Sequence, residues 1–176
     1  DGPVKGHDRA QSVVAGTDGV YVAGFSGGAA GDDWAVLKYS FTGKLSWARR
    51  LDPGYRVVDT AIDTGGGVVI AGTAGGINIR GKYTNEDYFV ARYTPGGRLT
   101  WTNRYNGPGF GNDRPSDLAA GPNGAVAVTG WSGDPAGFGD FATVLYDSGG
   151  GRQWAKRFAG PGNSGNSDDF GKGVGF

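Results

Sequence analysis

Three short runs of the chain carry apolar residues at both parities instead of alternating: Val20–Phe25 (VYVAGF), Val68–Thr73 (VVIAGT) and Ala125–Gly130 (AVAVTG). A strand with one wet face alternates, whereas a strand covered on both faces does not. The pattern predicts sheets stacked face to face. It argues against a two-sheet sandwich, whose outer faces would alternate.

Each run stands second in a set of four expected strands. The first set is Arg9–Ala15, Val20–Phe25, Trp34–Tyr39 and Lys44–Leu51. The second is Val57–Asp63, Val68–Thr73, Tyr88–Tyr93 and Arg98–Tyr105, and the third is Ser116–Ala120, Ala125–Trp131, Phe141–Tyr146 and Arg152–Phe158. Short Gly-containing turns such as Thr17–Gly19 join them into antiparallel meanders. No apolar 3.6-residue period lasts two turns, so no helix is expected. Asp169–Phe176 aligns with the first strand of each set, which places Val174 with Val13, Ala61 and Leu118, and no second strand follows it.

The sets are copies of one repeat. Asp18–Leu51 returns as residues 66–105 and 123–158, and Trp47, Trp101 and Trp154 mark one point in each, 54 and 53 residues apart. Four short strands recurring at that spacing are the mark of a blade array. The expected fold is therefore an all-β β-propeller built of four-stranded antiparallel blades. Blade 1 covers about 8–54, blade 2 about 55–108, blade 3 about 109–162, and the first strand of a further blade about 167–176.

The succession carried by Asp18-Gly19, Val20–Ser26, Asp33, Lys38-Tyr39, Gly43 and Trp47 resembles the bacterial β-propeller repeat (SBBP-type) proteins, over essentially the whole chain. The resemblance implies a blade array of the kind common in exported bacterial proteins, hence a secreted or extracellular location. It brings no catalytic residues. The third copy departs from the pattern, with Leu145 at the Lys38 position and Asp147-Ser148-Gly149 in the hairpin.

Closed propellers typically have four to eight blades, so three copies leave two raw faces. Further blades of a longer chain could complete the ring, or a second copy could join to make six. The surplus first strand favours the longer chain. The leading Asp1 and the absence of Met point to a mature or cut form.

Composition narrows the function classes. The 37 glycines, set among strand-length apolar runs, read as tight turns and not as disorder. Lys+Arg and Asp+Glu are both 17, which removes any whole-molecule electrostatic case for nucleic acid or an anionic membrane. No apolar run reaches the ~18 residues of a spanning helix, so no membrane insertion is expected. With no Cys there is neither a disulfide framework nor a thiolate metal site.

In a meander the tight turns gather at one end and the longer connections at the other. The long connections are Ser26–Asp33, Ala74–Asp87, Asn106–Asp113, Ser132–Asp140 and Ala159–Asp169, and a binding site belongs among them. Carboxylates concentrate there: Asp32-Asp33, Glu86-Asp87, Asp113, Asp140 and Asp168-Asp169. Ca²⁺ would suit such loops, but no D-x-D-x-D-G loop is present, and no cofactor is expected.

A structural role suits some of these carboxylates better. A turn centred between Phe41 and Thr42 would set Asp33 opposite Arg50, and the other copies repeat the pair as Asp87 with Arg104 and Asp140 with Arg157. Such cross-strand pairs contribute about 0.2–1 kcal/mol each.

The recurring Trp47, Trp101 and Trp154 read as packing between blades. The aromatics Tyr83, Phe110, Trp131 and Phe138 do not recur and stand in or beside long loops. Sugar rings have apolar faces and polar edges, so these four with Asp32 and Glu86 form the candidate ligand-binding set. The expected partner is a glycan or a protein, met by a non-enzymatic binding or assembly module.

Two alternatives stand beside it: a carbohydrate-active enzyme using loop carboxylates, and a purely structural extracellular subunit. The only histidine, His7, is near the start, and a Ser/His/Asp arrangement would depend on it. Gly65–Gly67 is a hairpin turn with no helix behind it, so it is no phosphate loop. Arg80 and Lys82 are too few for a nucleic-acid footprint.

Overall fold

The computed structural model of the chain describes residues 6–28, 31–52, 56–75, 85–108, 111–133, 138–160, 169 and 171–176. Among these residues twelve strands form three antiparallel sheets. The first sheet holds β1 (Asp8–Ala15), β2 (Val20–Gly28), β3 (Gly31–Tyr39) and β4 (Leu45–Leu51). The second holds β5 (Val57–Ile62), β6 (Val68–Ala74), β7 (Asp87–Tyr93) and β8 (Leu99–Tyr105). The third holds β9 (Asp113–Ala120), β10 (Val126–Gly133), β11 (Gly139–Tyr146) and β12 (Arg152–Phe158). Strands run in chain order across every sheet, and a 3₁₀ turn at Pro122–Gly124 is the one helical element among the described residues.

The sheets stack, with the first strands β1, β5 and β9 as neighbours. β6 and β10 are buried at every residue, as their non-alternating apolar runs require. β2 differs: Val22 and Phe25 are only half-buried, while Tyr21 and Ala23, on the face toward the second sheet, are buried. One apolar core lies between the first and second sheets, built on Tyr21, Trp34, Val36, Val68, Ile70 and Tyr93. Another lies between the second and third, built on Tyr88, Val90, Leu118, Val128, Val144 and Tyr146.

Both seams carry the same latch. Trp47 lies against the turn after β7: its Nε1 donates to the Pro95 carbonyl at 2.9 Å, its ring stacks on Tyr93 at 6.1 Å, and a Cβ on Gly97 would lie 2.7 Å from it. Arg49 Nε donates to the Gly97 carbonyl at 2.7 Å. Trp101 repeats this on the turn after β11, donating to Ser148 O at 3.0 Å, with Gly150 beneath its ring and Asn103 Nδ2 donating to Gly150 O at 2.8 Å. Gly97 and Gly150 thus meet two demands. Their φ values of 78° and 84° suit glycine, and the indole leaves no room for a side chain.

Another glycine set explains the AG, AG and TG of the second strands. Gly24, Gly72 and Gly130 lie against the carbonyls of Arg9 and Arg114 in the first strands and of Arg56 just before β5, closer than a Cβ would allow. There each first strand shifts register in a bulge.

Three expectations change. The segment Gly27–Asp32, read as a loop, is largely strand: β2 and β3 pair through Gly28 and Gly31, and Asp32 stands opposite Gly27. In the same way Gly133 pairs with Gly139, shortening the connection from Ser132 to Asp140. Glycines in these stretches hid the continuing ladder, whose backbone groups still need partners.

Arg50, Arg104 and Arg157 stand opposite Ala35, Phe89 and Ala142, not opposite Asp33, Asp87 and Asp140. In the first hairpin the left-handed Gly43 (φ 81°) and the register shift between Lys38 and Tyr39 slide β4 by two positions.

The described part of Asp169–Phe176 is in no ladder; it lies along β9, where Ser116 Oγ donates to the Gly171 carbonyl and Val174 N to Asp117 Oδ2 at 2.7 Å. Leu118 N makes the same contact to Asp59 Oδ2 at 3.4 Å. Val174 therefore corresponds to Leu118, Thr60 and Val13, with Thr60 replacing Ala61. The turn before β6 is one residue longer than the turn before β2, which offsets an alignment made on the glycines.

Candidate functional site

At the end of the sheets where the long connections meet, each sheet carries one carboxylate–arginine pair. Arg50 Nη2 lies 2.8 Å from Asp33, Arg104 Nε 2.5 Å from Asp87 and Arg157 Nη2 3.2 Å from Asp140. The pairs run diagonally across the ladder, and the length of arginine spans the offset. Arg50 also donates to Ser26 Oγ at 2.8 Å and Arg157 to the Ser132 carbonyl at 2.8 Å, so two of the arginines reach across to the second strand as well.

Between the second and third sheets the charges go deeper. Asp113 is fully buried and Asp87 nearly so. Gly107 N donates to Asp113 Oδ2 at 2.7 Å, and Asp113 N donates to the Glu86 carbonyl at 2.5 Å. One oxygen of each carboxylate, Oδ1 in both, has no hydrogen-bond donor among the described residues. Burial pushes both carboxyls above the usual carboxylate range; Arg104 opposes this at Asp87, and Gly107 N–H and the Ser132 hydroxyl oppose it at Asp113.

Beside this cluster, Arg114 gathers part of the expected ligand set. Its Nε lies 2.6 Å from Glu86 Oε2, and its guanidinium carbon 5.9 Å from the Trp131 ring centroid. Glu86 is fixed further by its backbone N, which donates to Asn112 Oδ1 at 3.0 Å. Trp131 is 8% exposed, held against Gly133 and Gly139, and Phe138, next in the chain to Gly139, is exposed. Carboxylate, guanidinium and indole form one stacked unit whose upper member, Arg114, faces solvent with 57% of its side chain. Such a unit offers oriented N–H donors on a rigid base.

Of the other candidates, Asp32 lies in the first sheet, apart from this unit, and Tyr83 and Phe110 lie outside the described residues. Sequence reasoning missed Arg114. It stands where Arg9 and Arg56 stand in the other copies, so nothing in the repeat singled it out.

It also missed a row on the first strands: Ser12 Oγ lies 3.3 Å from Asp59 Oδ1 and 2.9 Å from Thr60 Oγ1, and Asp59 in turn faces Asp117. Burial raises the Asp59 carboxyl, the Thr60 N–H opposes this and Asp117 adds to it. Among the described residues no three His, Asp or Glu side chains converge as a metal ion would require. His7 is exposed.

In comparison with known proteins, the chain matches no protein-family model and no curated protein sequence.

Proposed function

We propose that the chain is part of a β-propeller of the bacterial SBBP-type repeat, serving as a non-enzymatic binding module of an exported protein. Its partner, a glycan or a protein, meets the loop end at the Glu86–Arg114–Trp131 stack, with Phe138 alongside. One observation carries this reading: Arg114 is exposed yet held in place by Glu86 at 2.6 Å and by the indole below it. A guanidinium so fixed loses little freedom on binding, which favours recognition of hydroxyls or carboxylates. The nearby carboxylates favour binding over acid–base chemistry, since Asp33, Asp140 and Glu86 are engaged by arginines and Asp113 is sealed from solvent.

The test is a glycan array run with the chain and with Arg114→Ala. Binding to a defined glycan, lost in the variant while the unfolding free energy stays within about 0.5 kcal/mol of the parent, supports the reading. Binding that survives Arg114→Ala moves the site elsewhere. No glycan binding, with a protein partner captured through Arg114, selects the protein branch.

A purely structural role is the second reading. The half-buried apolar positions on the outer face of the first sheet favour it.

A further inference from the structure

Each internal seam joins a fourth-strand tryptophan to a hairpin glycine of the next sheet, and the chain carries both halves of a third such seam unjoined. Trp154, the counterpart of Trp47 and Trp101, is 41% exposed. Gly43, the counterpart of Gly97 and Gly150, has the same left-handed φ of 81°, and a Cβ there would meet nothing within 4 Å.

The sheet faces behind the two halves match as well. The open face of the first sheet forms a concavity of about 520 Å³ lined by Val22, Ala35, Leu37, Tyr39, Leu45 and Ala48. Four of these correspond to Val128, Ala142, Val144 and Tyr146 of the third sheet, all fully buried against the second.

The departures from the repeat fall on this same unjoined pair. In the made seams a cation reaches the turn carbonyl: Lys38 Nζ donates to Pro95 O at 3.2 Å and Arg92 Nη1 to Ser148 O at 2.8 Å. At the third position the cation is replaced by Leu145, and the residue matching Pro95 and Ser148 is Phe41, 67% exposed. Apolar meets apolar where the other seams pair a cation with a carbonyl.

We infer that the occupant of both open faces is a second copy of this chain, docked head to tail so that Trp154 of each copy seats on the Gly43 turn of the other. The indole N–H then donates to the Phe41 carbonyl, and Lys156, at the position of Arg49 and Asn103, reaches the Gly43 carbonyl. Two such seams close the assembly and leave no open end.

One contact must yield. Asp117 accepts Val174 N–H from the chain's own C-terminal segment at 2.7 Å, the place that the corresponding N–H, Val13, of a second copy would take. The segment along β9 therefore competes with the second copy. This goes beyond the loop-end reading, which needs neither face.

Sedimentation equilibrium of the full chain over a wide concentration range tests it. The expected result is reversible conversion of an 18.1 kDa species to twice that mass. Trp154→Ala should weaken the dimer at least about tenfold, as loss of a central aromatic anchor does. Val174→Pro, which removes the competing N–H, should strengthen it. Near-UV circular dichroism of each variant confirms that the sheets remain stacked. A chain that stays at 18.1 kDa at every concentration, with Val174→Pro included, overturns the inference. A dimer indifferent to Trp154→Ala overturns it equally.

Discussion

Gly43→Ala and Gly97→Ala make a controlled pair. Both glycines occupy the same place in a hairpin, with φ of 81° and 78°, so an added Cβ meets the same backbone strain, about 1–2 kcal/mol. They differ in what lies above them. At Gly43 the Cβ enters open space; at Gly97 it would sit 2.7 Å from the Trp47 ring. That ring cannot tilt away freely. Its Nε1 is tied to Pro95 O at 2.9 Å, it stacks on Tyr93, and Tyr21 meets it edge-on at 5.9 Å.

Forcing a methyl into such packing costs about 1–3 kcal/mol. Gly97→Ala should therefore be less stable than Gly43→Ala by about 1–3 kcal/mol. With a urea slope of about 1–3 kcal/mol per molar, the midpoints should differ by about 1 M. Equilibrium urea unfolding of both variants in a Trp154→Ala background, where no second copy can use Gly43, reads the difference. Equal midpoints would refute the seam, since strain alone would then explain both losses.

The ion pairs should separate by depth. Arg104→Ala leaves the buried Asp87 carboxylate without its partner and should cost about 1–3 kcal/mol, whereas Arg50→Ala frees the more exposed Asp33 and should cost at most about 1 kcal/mol in the same urea assay. The pH dependence follows from Asp87 and Asp113, whose carboxyls are raised by burial above the ordinary 3.8. A carboxyl with a raised folded value binds its proton more tightly when folded. Its contribution is fully present below the unfolded value and is lost as pH rises through the folded one. Thermal midpoints should therefore rise as pH falls from neutrality toward the ordinary 3.8, and Asp113→Asn should flatten that rise; a steeper rise in the variant would contradict the burial argument. On the first strands, Asp117→Ala should release Val174 and the C-terminal segment, detected as faster amide exchange at residues 171–176 than in the parent chain.

How far the residues themselves disclosed this differs by level. Apolar runs without alternation indicated sheets covered on both faces, and the spacing of Trp47, Trp101 and Trp154 indicated three copies of one sheet. These are signals of composition and period, which survive in a one-dimensional reading. Register is a different matter. The diagonal offset of Arg50 from Asp33 depends on the Gly43 turn and the shift beside Lys38, and the move from Ala61 to Thr60 depends on a turn one residue longer. A strand written as letters does not show a bulge.

The site was legible only in part. Glu86 and Trp131 stood out by their loop positions, but what unites them is Arg114, placed there by the start of β9 and by the second sheet's loop. Carboxylates that looked like a single acidic rim divide in space into diagonal ion pairs, Glu86 beneath Arg114, and a sealed Asp113.

The central claim is that sheets join through an indole seated on a hairpin glycine, and that one of three indoles is left without its seat. Hydrogen exchange of the indole N–H resonances tests this directly, in a Gly43→Asn chain whose turn tolerates the left-handed residue but cannot receive a second copy. Trp47 and Trp101, bound to Pro95 and Ser148 carbonyls, should exchange slowly and Trp154 rapidly. Should Trp47 and Trp101 exchange as fast as Trp154, the seams do not exist as described.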